Sequence, residues 1–327
     1  MKWFFRQIIK FLHLELNTLY DYYRFKKNYS LSTDNKKDKK NLEAWILQDK
    51  HRIEKGLSLP KPRYFFGEEP LQRLATNMVK YSNSYEKDSV YFFGIGALKA
   101  YEQFHLVADK SLPQFFVLLK SQFNEDDFNH KSSDLVGLGK IDGSNPDDER
   151  FFRDFALSRH SCRNFNIAKD VPNKTIESIM KLAIKAPSVC NRQHWHVHFL
   201  SGQDKLRVLD LQNGNTGFAD NIPYIAVITS DLRSFYSADE RNQPFVDGGI
   251  FAMNLMYSMH SYGISSCPLN WCNSFVMDRR FHKLGYTKAS ETVIMLLAFG
   301  YPNNEGFYAK SPRMAVEDFY TINVNSK

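Results

Sequence analysis

The run Ser158-Arg159-His160-Ser161-Cys162-Arg163-Asn164-Phe165 sets two guanidinium groups, an imidazole and two hydroxyls close together near the middle of the chain. Arginine binds phosphate through paired, charge-assisted hydrogen bonds, so such a cluster can hold an anionic cofactor tail. Taken alone it reads first as a basic surface loop paired with neighbouring acids. The rest of the chain decides between the two.

Just upstream, Asp142-Gly143-Ser144-Asn145-Pro146-Asp147-Asp148-Glu149 breaks the chain. Gly143 and Ser144 end one element, and Asn145 suits the cap of a new helix. Pro146 suits its first position, and the acids suit its first turn, where the helix dipole favours negative charge. The new helix closes at the basic run, and a domain boundary falls near residue 145.

Downstream the texture alternates between helices and apolar strands. Ile176, Ile179, Met180 and Ala183 line a helix face that stops at Ala186-Pro187, and residues 196–200, 224–229 and 292–299 are runs of strand length. Residues 245–262 form a helix nearly apolar all round, which belongs inside a core or a dimer interface. Upstream, residues 42–53, 70–81, 90–106 and 113–123 read as helices. Three regions result: 1–40, an amphipathic helix with a Lys-rich linker; 41–145, mainly helical; and 146–327, alternating.

In residues 3–25, Trp3, Phe4, Ile8, Phe11, Leu12, Leu19, Tyr22 and Tyr23 recur mostly at three- and four-residue spacings, with Arg6, Lys10 and Arg24 between them. This is a basic amphipathic helix, and its apolar face suits either an anionic membrane surface or packing on this or a partner chain. Arg6, Lys10, His13 and Glu15 interrupt the apolar run too often for a signal sequence or a membrane span. The expected setting is the cytoplasm, with peripheral contact to the inner face of the membrane open through residues 3–25. Lys26, Lys27, Lys36, Lys37, Lys39 and Lys40 read first as a solvated linker.

The 327 residues are 43% hydrophobic and 24% charged, which excludes a disordered chain. A formal charge of +7 suits anionic ligands, though nucleic acid is not an expected partner. Cys162, Cys190, Cys267 and Cys272 show no C-x-x-C pair and no zinc spacing with histidine, so neither a disulfide framework nor a metal is expected. Cys267 and Cys272 read as buried thiols on a loop. Gly94-Ile95-Gly96 lacks the third glycine of a dinucleotide fingerprint and reads as helix packing. His51 and Glu54 read as a helix-surface pair and His282 as structural.

Two further pieces follow the basic run in order. They are Ala186-Pro187-Ser188-Val189-Cys190-Asn191-Arg192-Gln193-His194-Trp195 and, near the end, Lys310-Ser311-Pro312-Arg313. The succession S-R-H-S-C-R-N-F, A-P-S-x-x-N-x-Q-x-W, K-S-P-R resembles the nitroreductase-like flavoproteins over about half of the chain.

That resemblance implies an α+β fold, a three-layer sandwich with a central mixed, mainly antiparallel sheet between helices, preceded here by a mainly helical region. It also implies FMN in a homodimer. Arg159, His160, Ser161 and Arg163 then grip the FMN phosphate and ribityl chain, joined by Lys310 and Arg313. Pro187, Ser188 and Asn191 reach FMN from the other subunit, and Asn215 meets the polar edge of the ring. Ser266, Cys267, Pro268, Leu269 and Asn270 lie along the isoalloxazine. A flavin needs cations at its phosphate, a flat apolar wall and donors near N1, O2 and N5, all of which this set offers. His194 stands where relatives commonly carry proline, and residues 51–57, H-R-I-E-K-G-L, resemble a segment found ahead of the reductase domain in proteins of capsule or exopolysaccharide loci.

Two functions are open, the first implied by the resemblance and the second suggested by the long N-terminal extension and its basic amphipathic helix. One is a flavoenzyme that takes hydride from NADH or NADPH at flavin N5 and passes it to a small acceptor, with ping-pong kinetics because the chain has no dinucleotide fold. The other is a non-catalytic flavin-binding or scaffold accessory protein of a polysaccharide or membrane-associated assembly. A scaffold has no reason to keep Arg159, Arg163, Lys310 and Arg313 in register, which favours the enzyme.

Overall fold

In a computed structural model the described residues are 2–29, 38–140, 143, 147–303 and 306–322, without the side chains of residues 2–10. The expected cap Asn145, the first-turn Pro146, Ser144, Lys36 and Lys37 lie outside them, as do the side chains of Trp3, Phe4 and Ile8.

The first half is helical: α1 (Lys2–Asn28), α2 (Lys39–Leu57), α3 (Glu68–Ser84), α4 (Ser89–Val107), α5 (Gln114–Lys120) and α6 (Glu125–Phe128). Asp38 and Asp88 cap α2 and α4, their carboxylates accepting from the Lys40 and Val90 backbone N–H groups, which the helices themselves cannot satisfy. Leu42, Ile46 and Ile53 of α2 mesh with Leu71, Leu74 and Met78 of α3 and with Tyr91, Ile95 and Leu98 of α4. The two glycines of α4 act in packing, as expected. A Cβ at Gly94 would stand 2.5 Å from the Met78 sulfur, and one at Gly96 2.4 Å from the Ser133 carbonyl.

Two expectations need correction here. Lys39 and Lys40 are not linker but the first turn of α2, where Lys39 pairs with Asp88 at 2.9 Å and Lys40 with Glu43 at 3.1 Å. Glu54 pairs with Lys50 at 2.7 Å, one turn back, and accepts from Gly137 N, rather than pairing with His51.

The second half comprises α7 (Asp148–Ser158), α8 (Asn173–Ala183), β1 (Trp195–Ser201), α9 (Gly202–Leu209), β2 (Tyr224–Asp231), α10 (Gln243–Ser261), β3 (Ser265–Asn270), α11 (Phe275–Lys283) and β4 (Glu291–Gly300). The sheet order is β1-β2-β4-β3, and every pairing among these strands is antiparallel. Among the described residues the parallel component is one bridge, from Ser161, outside the named strands, to Ser266 of β3.

Side chains of β2 and β4 explain the three layers. Ala226, Ile228, Leu297 and Phe299 point to one core with Ile179 of α8 and Phe251 and Leu255 of α10. Ile225, Val227, Leu296 and Ala298 point to the other, with Val208 of α9 and Phe281 of α11. Strict alternation of apolar residues on both faces is what a fully covered central strand requires. The register shifts between Ile228 and Thr229, opposite Met295 and Val293, so Ile294 is the extra residue of a bulge and the alternation resumes beyond it.

Cys267 lies on β3, not on a loop, and is buried, whereas Cys272 follows the strand and is exposed. β3 is an edge strand, where Pro268 costs no ladder bond because its missing N–H would face outward. The C-terminal half of α1 docks on this domain: Arg24 is buried and reaches Asp278 of α11 at 3.0 Å. His282 is structural as expected, with Nδ1 3.2 Å from Thr287 Oγ1. Among the described residues no helix is long and apolar enough to cross a membrane.

Candidate functional site

The basic run leaves α7 at Arg159 and passes along the free edge of β3. Cys162 N donates to Ser266 O at 3.1 Å, and Asn166 N to Tyr301 O at 2.9 Å, so the run is strapped to the ends of β3 and β4. Arg159 is half-buried, and its Nη1 is buried without a hydrogen-bond partner among the described residues. Arg163 is exposed. Burial pushes the Cys267 and Cys162 thiols up, against the pull of the neighbouring arginines, and burial together with Arg159 and His160 pushes His260 down. Arg159 and Arg163 thus put two cations at this edge. Their charge neither activates the buried thiols nor satisfies the orphaned guanidinium nitrogen.

The C-terminal tail begins over the same run. Tyr308 stacks on His160 with ring centroids 4.1 Å apart, and Gly306 lies beside Asn164. From there residues 306–322 are exposed throughout, including Lys310 and Arg313. The Arg313 guanidinium meets only the Ser311 carbonyl among the described residues. The structure therefore brings Arg159, His160, Ser161, Arg163, Cys267 and Pro268 to one edge and starts the tail there, while Lys310 and Arg313 extend away from it.

Pro187, Ser188 and Asn191 lie between α8 and β1. Cys190, Asn191 and Gln193 all adopt left-handed φ, at 49°, 52° and 48°, a conformation costing on the order of 1 kcal/mol for each residue with a side chain. The strain is held by a scaffold that sequence reasoning missed. Asp247 of α10 accepts from Val189 N at 2.9 Å, and Ser188 Oγ accepts from Gln193 N at 3.0 Å. Arg192, fully buried, donates to Ser234 O at 2.7 Å and pairs with Glu240.

His194 explains its own presence. Its Nε2 lies 2.8 Å from Asp247 Oδ2 and its Nδ1 2.7 Å from Ser230 Oγ. Burial pushes its pKa down, outweighing Asp247, so the ring is neutral; the network then assigns Nε2–H as donor and Nδ1 as acceptor. Burial alone would raise Asp247, but the hydrogen bonds from His194, Val189 N–H and Gln243 hold its carboxyl below the usual range.

Asn215 is buried and its amide nitrogen donates to Leu209 O and Gln212 O at 2.8 and 2.9 Å, closing the turn after α9. Leu269 is buried in the core, and Asn270 is exposed, its Oδ1 accepting from Cys272 N at 3.0 Å. Gln212, which anchors this turn to Asn270 O at 3.0 Å, is a second positioning residue that spacing did not reveal.

The second half is thus an α+β domain, a four-stranded antiparallel sheet between two helical layers with a basic strap on one edge. The family model "Nitroreductase family" matches residues 156–212 and 200–301, which take in the basic strap and the entire sheet. Nitroreductase NfnB of Mycolicibacterium smegmatis is 27% identical, the match covering 45% of this chain and 80% of that protein. Among solved structures, an FMN-dependent nitroreductase from Clostridium difficile is 19% identical over 52% of this chain and 98% of its own, with a TM-score of 0.43. A nitroreductase family protein from Streptococcus pneumoniae is 18% identical over 52% and 99%, with a TM-score of 0.45.

Proposed function

We propose that residues 146–327 bind FMN and act as a homodimeric flavin oxidoreductase, passing hydride from NADH or NADPH to a small acceptor. One observation carries the reading: the buried, orphaned Nη1 of Arg159 at a cationic edge. A buried N–H without a partner costs about 1–3 kcal/mol or more, and a phosphate oxygen relieves that cost with a charge-assisted bond. The donor set fits an FMN phosphate: Arg159, His160, Ser161 and Arg163 on the strap, with Lys310 and Arg313 on the tail. Pro268 on the free edge of β3 offers an apolar surface without an N–H of its own, suited to a flat ring.

The homodimer is supported by apolar groups without cover in one chain. Phe245, Val246 and Ile250 on α10 are each more than 40% exposed, and Met314, Val316, Phe319 and Ile322 on the tail each more than 60%. Exposed apolar surface on this scale is costly unless a partner covers it. A tail crossing to a second copy would carry Lys310 and Arg313 with it, and the strained Pro187–Asn191 segment would face the partner's flavin. The bound flavin supplies the electron-accepting ring; the protein supplies binding, orientation and field.

The division into α1 with its linker, a mainly helical region that begins with α2 at Lys39 and runs to residue 145, and residues 146–327 belongs to the same reading, with the last region as the reductase. The acceptor belongs to surface-polysaccharide metabolism on the likeness of residues 51–57. The test is anaerobic: NADH or NADPH should bleach the bound flavin, and an added quinone or nitroaromatic should restore its colour, with parallel double-reciprocal plots. A flavin that neither nucleotide reduces would leave the scaffold reading.

A further inference from the structure

Helix α1 has one face fixed and another without cover. Asn17, Tyr20 and Arg24, at three- and four-residue spacing, share the fixed face. Asn17 Oδ1 accepts from Phe275 N at 2.9 Å, and Tyr20 OH donates to Asp278 Oδ2 at 2.8 Å. Arg24 donates to that same carboxylate oxygen at 3.0 Å and to the Glu291 carbonyl. These contacts set the rotation of the helix about its axis, and so determine which side chains face outward.

Leu12, Leu16, Leu19 and Tyr23 form an outward stripe, flanked by Phe11 and Tyr22, and each is at least 46% exposed. At 3.6 residues per turn the six lie within an arc of about 140°, which also holds Glu15 and Lys26 between Tyr22 and Leu19. Three of the six are aromatic, the type enriched where membrane meets water. With Arg24 paired to Asp278, the same helix still carries Lys2, Arg6, Lys10, Lys26 and Lys27 against Glu15 and Asp21. An exposed face with three aromatics, on a helix with this excess of cations, matches an anionic bilayer surface in charge.

We propose that α1 is an interfacial anchor that lies in the plane of an anionic lipid surface with the arc from Phe11 to Tyr23 inserted. Asn17, Tyr20 and Arg24 hold the reductase-like domain above it in one attitude. The helix lies on the membrane and does not cross it. Because Asp278 and Glu291 hold α1 at a fixed rotation, anchoring orients the whole second half of the chain, not merely a tether. The anchor is independent of whether flavin binds.

The test uses the full chain and sedimented vesicles of phosphatidylcholine alone or with about one third phosphatidylglycerol. The wild-type chain should pellet with the anionic vesicles and stay in solution with the neutral ones. Leu16→Glu/Leu19→Glu should lose at least about tenfold in partitioning, because both charges would enter the interface. Its thermal midpoint should stay near that of the wild type, since both side chains are exposed. A full-length chain that ignores anionic vesicles overturns the proposal. So does a double variant that binds them undiminished, or one that instead changes the oligomeric state, which would make the arc a protein interface.

Discussion

His194 Nε2 stands 2.8 Å from Asp247 Oδ2, joining the start of β1 to the second turn of α10, and the same carboxylate oxygen accepts from Val189 N at 2.9 Å. One buried acid thus positions both His194 and the left-handed segment before it. Asp247→Ala should remove about 3 kcal/mol of stability, because it strands two buried donors at once. In a domain of this size that lowers Tm by about 6–12 °C. Asp247→Asn, which keeps an acceptor, should lose less. Equal Tm values for Asp247→Ala and the wild type would mean that the segment holds its shape without this acid.

Asp278 ties α1 to the second half, and its carboxyl is held at about 2, burial opposing but His282 at 3.5 Å, the hydrogen bonds from Trp271 and Tyr20 and the charge of Arg24 prevailing. A depressed carboxyl stabilises the fold above its unfolded value, near 3.9, and that stabilisation disappears as pH falls through the folded value. Stability should therefore fall by about 2 kcal/mol between about pH 4 and pH 2 through this group alone. Trp271 Nε1 donates to Asp278 Oδ1 at 2.9 Å, so indole fluorescence reports the loss. Asp278→Asn should be less stable at neutral pH and flatter across that window. An identical acid profile in the variant would remove Asp278 from the account.

Phe319 and Tyr320 on the tail are exposed by 67% and 53%. If the tail crosses to a second copy, Phe319→Asp/Tyr320→Asp should weaken dimerisation by at least about tenfold, since burying each aromatic contributes roughly 1.5–3 kcal/mol. Light scattering across a dilution series measures this. A wild-type chain that is monomeric at every concentration would contradict the interface.

The parts legible in the sequence were those with local signals. β2 and β4 are runs of apolar residues buried on both faces, and the helices of the first half follow their apolar spacing to within a few residues at most ends. β3 was not legible as a strand: Ser265-Ser266-Cys267-Pro268-Leu269-Asn270 has weak strand propensity, and it forms because β4 offers a full ladder on one side. The basic strap was legible because arginine chemistry is carried by consecutive residues. The Asp247, Arg192 and Glu240 scaffold was not, because each partner lies some 50 residues away in the chain and nothing local marks an acid inside an apolar helix as buried. For the same reason the sequence showed α1 to be amphipathic without showing that Asp278 holds it.

The most direct measurement of the central claim is titration of the purified protein with FMN and with riboflavin, for the wild type and Arg159→Ala, followed by flavin absorbance and fluorescence. The wild type should take up one FMN per subunit. In Arg159→Ala, FMN affinity should fall about tenfold to a hundredfold, the loss of a hydrogen bond to a charged group, while riboflavin, which lacks the phosphate, should be little affected. A wild-type protein that takes up no FMN, or a variant that binds FMN as tightly as the wild type, would contradict it.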